Sequence, residues 1–170
     1  IHCALDNMIP HMAVFIYPYV SWFPYIVLCA YLAIKNLDDR QFKKAVLVLT
    51  TGMNIFLFIS FVWPTGLNLR EGIVYDLHTL SGNLLKFVQT VDTPKSVFPS
   101  MHVYVTLVLQ YTLEMQKKLV PSWGIWVGRV LAVLIVLSTM FTKQHSVLDV
   151  SAAIVMFAVL AVVVEKIVKK

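Results

Sequence analysis

Mostly apolar stretches without a charged residue cover positions 12–34 and 45–63, a third at 147–164 has Asp149 as its one charge, and a fourth at 123–141 has Arg129 as its one charge. At a helical rise of about 1.5 Å per residue, each approaches or exceeds the length needed to cross a hydrocarbon layer of about 30 Å. A fifth stretch, 101–113, reaches that length only if its helix continues through Glu114 to Leu119, and it is read as a span on that condition. In the long connector 64–99, Ile73, Leu77, Leu80, Leu84, Phe87, Val88 and Val91 recur at helical spacing, interrupted by Ser81, Gly82 and Asn83. That spacing predicts an amphipathic helix lying in the membrane plane. The expected architecture is all-α: a polytopic transmembrane helical bundle with five visible spans, a sixth expected upstream, and an interfacial helix, all in one domain over 1–170.

Composition excludes the soluble alternatives. Apolar residues make up 59% of the chain and charged ones 14%, with a mean hydropathy of +0.77, against roughly 25% charged in a soluble domain. A disordered chain, a soluble globular domain and a nucleic-acid binder with a hydrated basic surface are all ruled out. Cys3 and Cys29, one near the first residue and one deep in an apolar stretch, do not suggest a disulfide framework.

Charge then gives an orientation. If five helices alternate, the connectors 35–44 and 114–122 and the tail 165–170 share one side, which with Arg129 collects ten of the 14 Lys and Arg residues. The other side holds Arg70, Lys86, Lys95 and Lys143. The excess of Lys and Arg marks the first side as cytoplasmic, so the connectors 64–99 and 142–146 are expected outside the cytoplasm, in the plasma membrane.

The candidate chemistry lies on that outer side. Phe98-Pro99-Ser100-Met101-His102 opens the third span and Thr142-Lys143-Gln144-His145-Ser146-Val147-Leu148-Asp149 opens the fifth. His145 and Asp149 are four apart, a spacing that brings imidazole and carboxylate together on one helix face and fixes the histidine tautomer. A lone aspartate there would otherwise serve the amides of the helix N-terminus, but an intramembrane carboxylate beside a histidine is a functional signal. Ser100 has the position of an N-cap, and the amides after it form an anion site. With Lys143, Lys95 and Arg70 on the same face, these residues compose a phosphate pocket with two histidines. A zinc site is the competing chemistry, but no close His-His or Cys-His spacing supports it and the lysines repel a cation.

The two segments together resemble the type 2 phosphatidic acid phosphatase superfamily of membrane enzymes. Its second motif, Pro-Ser-Gly-His, matches 99–102 with Met101 in the glycine position. Its third, a Ser-Arg, five residues, a His, three residues and an Asp, matches at Ser138, His145 and Asp149, with Thr139 in place of the Arg. Of its first motif, a Lys with an Arg-Pro seven positions later, Arg70 is present, while Trp63 and Glu71 stand at the other two positions.

The resemblance implies that His145 attacks phosphorus, Asp149 orients it and His102 protonates the leaving alcohol. Ser100, Met101, Lys143 and Arg70 are the expected phosphate-binding residues. It implies no metal and no cofactor. The expected partners are the bilayer and a lipid phosphate, either a lipid monophosphate or an isoprenoid pyrophosphate, with no nucleic acid. Water as acceptor gives a phosphatase, an alcohol acceptor gives a phosphotransferase from the same site, and a non-catalytic lipid-binding protein on the same scaffold is the remaining alternative.

Overall fold

Prolines shape the first long helix without ending it. In the computed structural model, which describes residues 1–169, a short helix α1 (Ala4–Met8) precedes α2 (Ala13–Asn36). Helix α2 begins with a 3-10 turn at Ala13–Phe15 and continues through Ile16–Val20 to Trp22–Asn36. Pro24 has no N–H to offer the Val20 carbonyl, and the chain turns at Ser21, whose hydroxyl donates to the Pro18 carbonyl at 2.6 Å. Helix α3 (Asp39–Val62) starts on a reciprocal cap, in which Asp38 accepts the Gln41 N–H at 2.8 Å while the Gln41 side chain accepts from the Asp38 N–H. After the long connector with its helix α4 (Leu80–Val91) come α5 (Met101–Glu114), α6 (Ser122–Phe141) and α7 (Val147–Lys169).

Four of these helices, α2, α3, α6 and α7, are long and apolar enough to cross a membrane. The helix expected to form a fifth span is not among them. Helix α5 stops at Glu114 rather than continuing to Leu119, and its 14 residues extend only about 21 Å. Polar residues end it: Glu114 pairs with Arg129 and Lys117, and Gln116 turns inward, buried, to bond the Thr112 carbonyl at 3.1 Å. Its apolar character serves another purpose. Helix α5 packs against α2, α3, α6 and α7, and Val103, Tyr104, Val105, Thr106, Val108 and Leu109 are all buried. A helix apolar on all sides belongs in the centre of a bundle. Close approach there depends on Gly52 of α3, where a Cβ would stand 2.0 Å from Cζ of Tyr104.

The bundle has two distinct ends. At one, Asn36 donates to Gln116 at 3.1 Å, Arg40 donates to the Val168 carbonyl at 3.1 Å, and Lys44 pairs with Glu165. The basic connectors meet there, as their charge sorting predicts; Lys170 lies outside the described residues. At the other end, Met12 N–H donates to the Phe141 carbonyl at 3.0 Å and Ser100 N–H to the Asp149 carbonyl at 3.1 Å, which draws together the starts of α2, α5 and α7 and the end of α6.

The connector helix exists, but it is shorter than the apolar spacing predicts. Residues 73–79 are not part of it, because Asp76 and Thr79 form a turn whose carbonyl and hydroxyl close around the N–H groups that follow. Thr79 caps α4 by accepting the Gly82 N–H at 3.1 Å, so Ser81, Gly82 and Asn83 are its first turn and not an interruption. Leu85 is buried against Ile16 and Tyr19, while Leu80, Phe87 and Val91 stay exposed.

Candidate active site

Ser100, Met101, His102 and Asp149 are placed by helix starts, His145 and Lys143 by the turn before α7, and Arg70 by the long connector. Ser100 caps α5, its hydroxyl accepting the Val103 N–H at 3.4 Å, and its own N–H ties α5 to α7 through the Asp149 carbonyl. His102 therefore sits in the first turn of α5. His145 lies in the turn between α6 and α7, where the Thr139 carbonyl accepts the N–H groups of both Gln144 at 2.9 Å and His145 at 3.0 Å. Lys143 completes that turn in a left-handed backbone conformation, φ 57°.

Asp149 reaches His145 by folding back. Helix α7 begins at Val147, so His145 precedes it, and the Asp149 carboxylate accepts the Ser146 N–H at 2.9 Å in the manner of a capping-box acid. The same oxygen, Oδ2, stands 3.5 Å from His145 Nδ1. Both residues are buried, Asp149 completely.

His102 and His145 face one cavity of about 220 Å³, their ring centres 5.8 Å apart, with Arg70, Asp92, Gln144, Lys95, Met101 and Phe56 also in its wall. Arg70 enters from the long connector and donates to the carbonyls of Gln89 and Asp92 and to Gln144 Oε1. Burial pushes its pKa down, and the negative charge of Asp92 works against that shift. The connector is held in place where residues 65–67 run antiparallel to 94–96, with Leu67 N–H to the Pro94 carbonyl at 3.1 Å and Ser96 N–H to the Thr65 carbonyl at 2.6 Å.

The wall is under-satisfied. Among the described residues, eight buried side-chain polar atoms have no hydrogen-bond partner, and four of them, Arg70 Nε, His102 Nδ1, Gln144 Nε2 and His145 Nδ1, belong to residues lining this cavity. A fifth is Oδ1 of Asp149, whose other oxygen faces His145. An unpaired buried polar group costs about 1–3 kcal/mol, and half of these eight atoms fall on residues of this one wall. No three of His, Cys, Asp and Glu converge as a metal-ligand set among the described residues.

Two expected phosphate-binding residues are elsewhere. Lys143 does not line the cavity: its Nζ donates to the carbonyls of Asp6 at 2.7 Å and Ile9 at 2.6 Å. Burial lowers its pKa, with Asp6 opposing. The left-handed turn that presents His145 aims the lysine toward the N-terminal segment. Ser100 is fully buried in its capping role and is not part of the wall. Met101 and Arg70 are in it. Thr139, at the third motif's Arg position, is fully buried and donates to the Val136 carbonyl at 2.8 Å.

Sequence reasoning missed Tyr19, Asp92, Gln144 and Asp6. Tyr19 reads as one more aromatic in an apolar stretch, yet its hydroxyl bonds both Asp92 and His102. Asp6 accepts the Ser146 hydroxyl at 2.7 Å and the Val147 N–H at 2.8 Å. Its only sequence signal is an acid at a capping-box position after Cys3, three residues earlier.

The cavity, with two histidines and the half-buried Arg70 in its wall, lies at one end of a bundle with four helices long and apolar enough to cross a membrane. The chain belongs to the PAP2 superfamily, whose family model matches residues 4–163, and thus to a group of phosphatases and phosphotransferases. Searches of curated proteins and of solved structures returned no match.

Proposed function

We propose that this chain is a metal-independent membrane phosphatase that takes the phosphoryl group of a lipid monophosphate or isoprenoid pyrophosphate onto His145. The observation that carries the reading is the placing of His102 and His145 in one cavity, 5.8 Å apart, with Arg70 between the connector and Gln144. In the reaction, His145 forms the bond to phosphorus while Asp149 holds its Nδ1 side and stabilises the positive charge that develops. His102 gives its proton to the leaving oxygen and later takes one from the attacking water. Arg70, with Lys95 at the wall, neutralises the equatorial oxygens. The long apolar helices around the cavity favour a substrate whose chains stay in the bilayer. The excess of Lys and Arg at the opposite end supports an extracytoplasmic cavity in the plasma membrane.

Purified protein in detergent with EDTA, offered a panel of lipid monophosphates and isoprenoid pyrophosphates, tests this. Phosphate release, with an acid-labile and base-stable phosphoprotein that is absent from His145→Ala, is the expected result. Transfer to an added alcohol in place of release identifies a phosphotransferase, and neither release nor transfer across the panel returns the chain to a non-catalytic lipid-binding role.

A further inference from the structure

A second chain of hydrogen bonds reaches the cavity behind His102. Tyr19, only 2% exposed, places its hydroxyl 2.9 Å from Asp92 Oδ2 and 3.0 Å from His102 Nε2. A phenol has one proton to donate, and an ionised carboxylate only accepts. The Tyr19 proton therefore goes to Asp92, and His102 Nε2 must itself carry the hydrogen that meets the phenol oxygen. In a neutral imidazole that leaves the lone pair on Nδ1, which is the ring atom without a partner. The ring is held in this pose by Trp22 and Tyr19, whose ring centres lie 4.5 Å and 4.9 Å from its own.

We propose that Asp92 and Tyr19 are positioning residues that lock His102 in the Nε2–H tautomer, so that Nδ1 is the atom through which protons pass at the cavity. The inference deepens the phosphatase reading and rests on it for its catalytic meaning. At the start of the first half-reaction both nitrogens of His102 carry hydrogen. The bond from His145 to phosphorus forms, the bond from phosphorus to the leaving oxygen breaks, and the Nδ1 proton moves to that oxygen, leaving neutral His102 with its Nε2 hydrogen in place. In the second half-reaction Nδ1 takes a proton from water as the new O–P bond forms and the N–P bond breaks. Burial, and after it the neighbouring His145, push the His102 pKa below its ordinary value while the Asp92 charge, facing the ring through the phenol, opposes them, so the Nδ1 proton is taken up together with the anionic substrate. Arg70, Lys95 and His145 are the other charged or titratable groups in the same wall.

The test is nitrogen NMR on protein labelled with 15N-histidine, the His102 signals being assigned by their loss in His102→Gln. The expected neutral-ring signature is hydrogen on Nε2, retained in Asp92→Asn, whose amide oxygen still accepts from Tyr19, and lost as a fixed state in Tyr19→Phe. Hydrogen on Nδ1 in the unmodified protein overturns the proposal whether or not the protein turns over substrate. A kinetic arm separates positioning from packing. Tyr19→Phe is expected to lower kcat on an alkyl phosphate roughly tenfold or more with KM little changed, while nitrophenyl phosphate, whose leaving group needs no proton, is barely affected. Equal losses on both substrates overturn the positioning role. The Nε2 signature in a protein without any turnover supports the tautomer assignment and refutes the phosphatase reading.

Discussion

The hydroxyl of Ser146 donates to the carboxylate of Asp6 at 2.7 Å across 140 residues of chain. That bond joins the first helix to the start of the last, immediately after His145. Burial alone raises the Asp6 pKa, but hydrogen bonds from the Val147 and Cys3 N–H groups and the Ser146 hydroxyl outweigh it and hold the carboxyl below its ordinary value. The contribution of a group with a depressed folded-state pKa is present above the ordinary aspartate value, about 4, and is lost as pH falls through the lower one. Asp6→Asn is therefore expected to melt below the unmodified protein at neutral pH, with the gap closing on acidification below about pH 4. Thermal unfolding in detergent across that range checks it, and a gap that widens in acid contradicts the assignment.

The division between Arg70 and Lys143 gives opposite outcomes for two cation removals. Arg70→Gln removes a cation from the cavity wall, and a loss of roughly 10²–10³ in turnover is expected. Lys143→Gln removes two carbonyl contacts to the N-terminal segment, so it should lower the melting temperature more than the turnover of the folded protein. Measuring both quantities on both variants decides the matter.

Asp149→Asn keeps an acceptor for the Ser146 N–H but withdraws the charge beside His145. A fold-competent protein slowed by roughly 10²–10⁴ is expected, on the analogy of an amide replacing the acid of a catalytic triad. Near-normal turnover in that variant would show that the carboxylate serves the helix start alone.

Gly52→Ala places a methyl carbon against the Tyr104 ring and should cost about 1–3 kcal/mol by overpacking. The double variant with Tyr104→Ala is expected to lose less than the sum of the two single changes. Additive losses in unfolding experiments would locate the strain elsewhere.

Orientation is read by labelling. Val74 is 89% exposed at the cavity end and Leu119 is 63% exposed at the basic end. With Cys3 and Cys29 replaced by alanine, Val74→Cys should react with an impermeant maleimide on intact cells and Leu119→Cys should not; the reverse pattern overturns the charge-based orientation.

The parts of this site that depend on neighbours in sequence were legible before any coordinates. Ser100 before an apolar stretch caps its helix, while His145 and Asp149 meet not on one helix face, as their spacing predicts, but because Asp149 folds back over the start of α7 toward the turn that holds His145. Arg70 could be assigned to the correct face from its connector. The direction of Lys143 depends on its own left-handed backbone within a turn, which charge alone does not encode. Tyr19 and Asp92 meet His102 across separations that no local pattern spans, and Tyr19 is hidden among apolar neighbours whose periodicity it shares. The length of α5 was misread for a related reason: hydropathy reports that a helix avoids water, whether lipid or protein surrounds it.

That shortness has a mechanical consequence. At 14 residues against 24 in α3, the central helix is about 15 Å shorter than its neighbour, and polar connectors make up the difference at its ends. His102 sits in the first turn of this short helix, so its depth follows from how α5 packs against its neighbours and not from bilayer thickness. A host membrane a few ångströms thicker or thinner is taken up by the long helices through tilt, and the bond from Ser100 N–H to the Asp149 carbonyl ties the start of α5 to the start of α7.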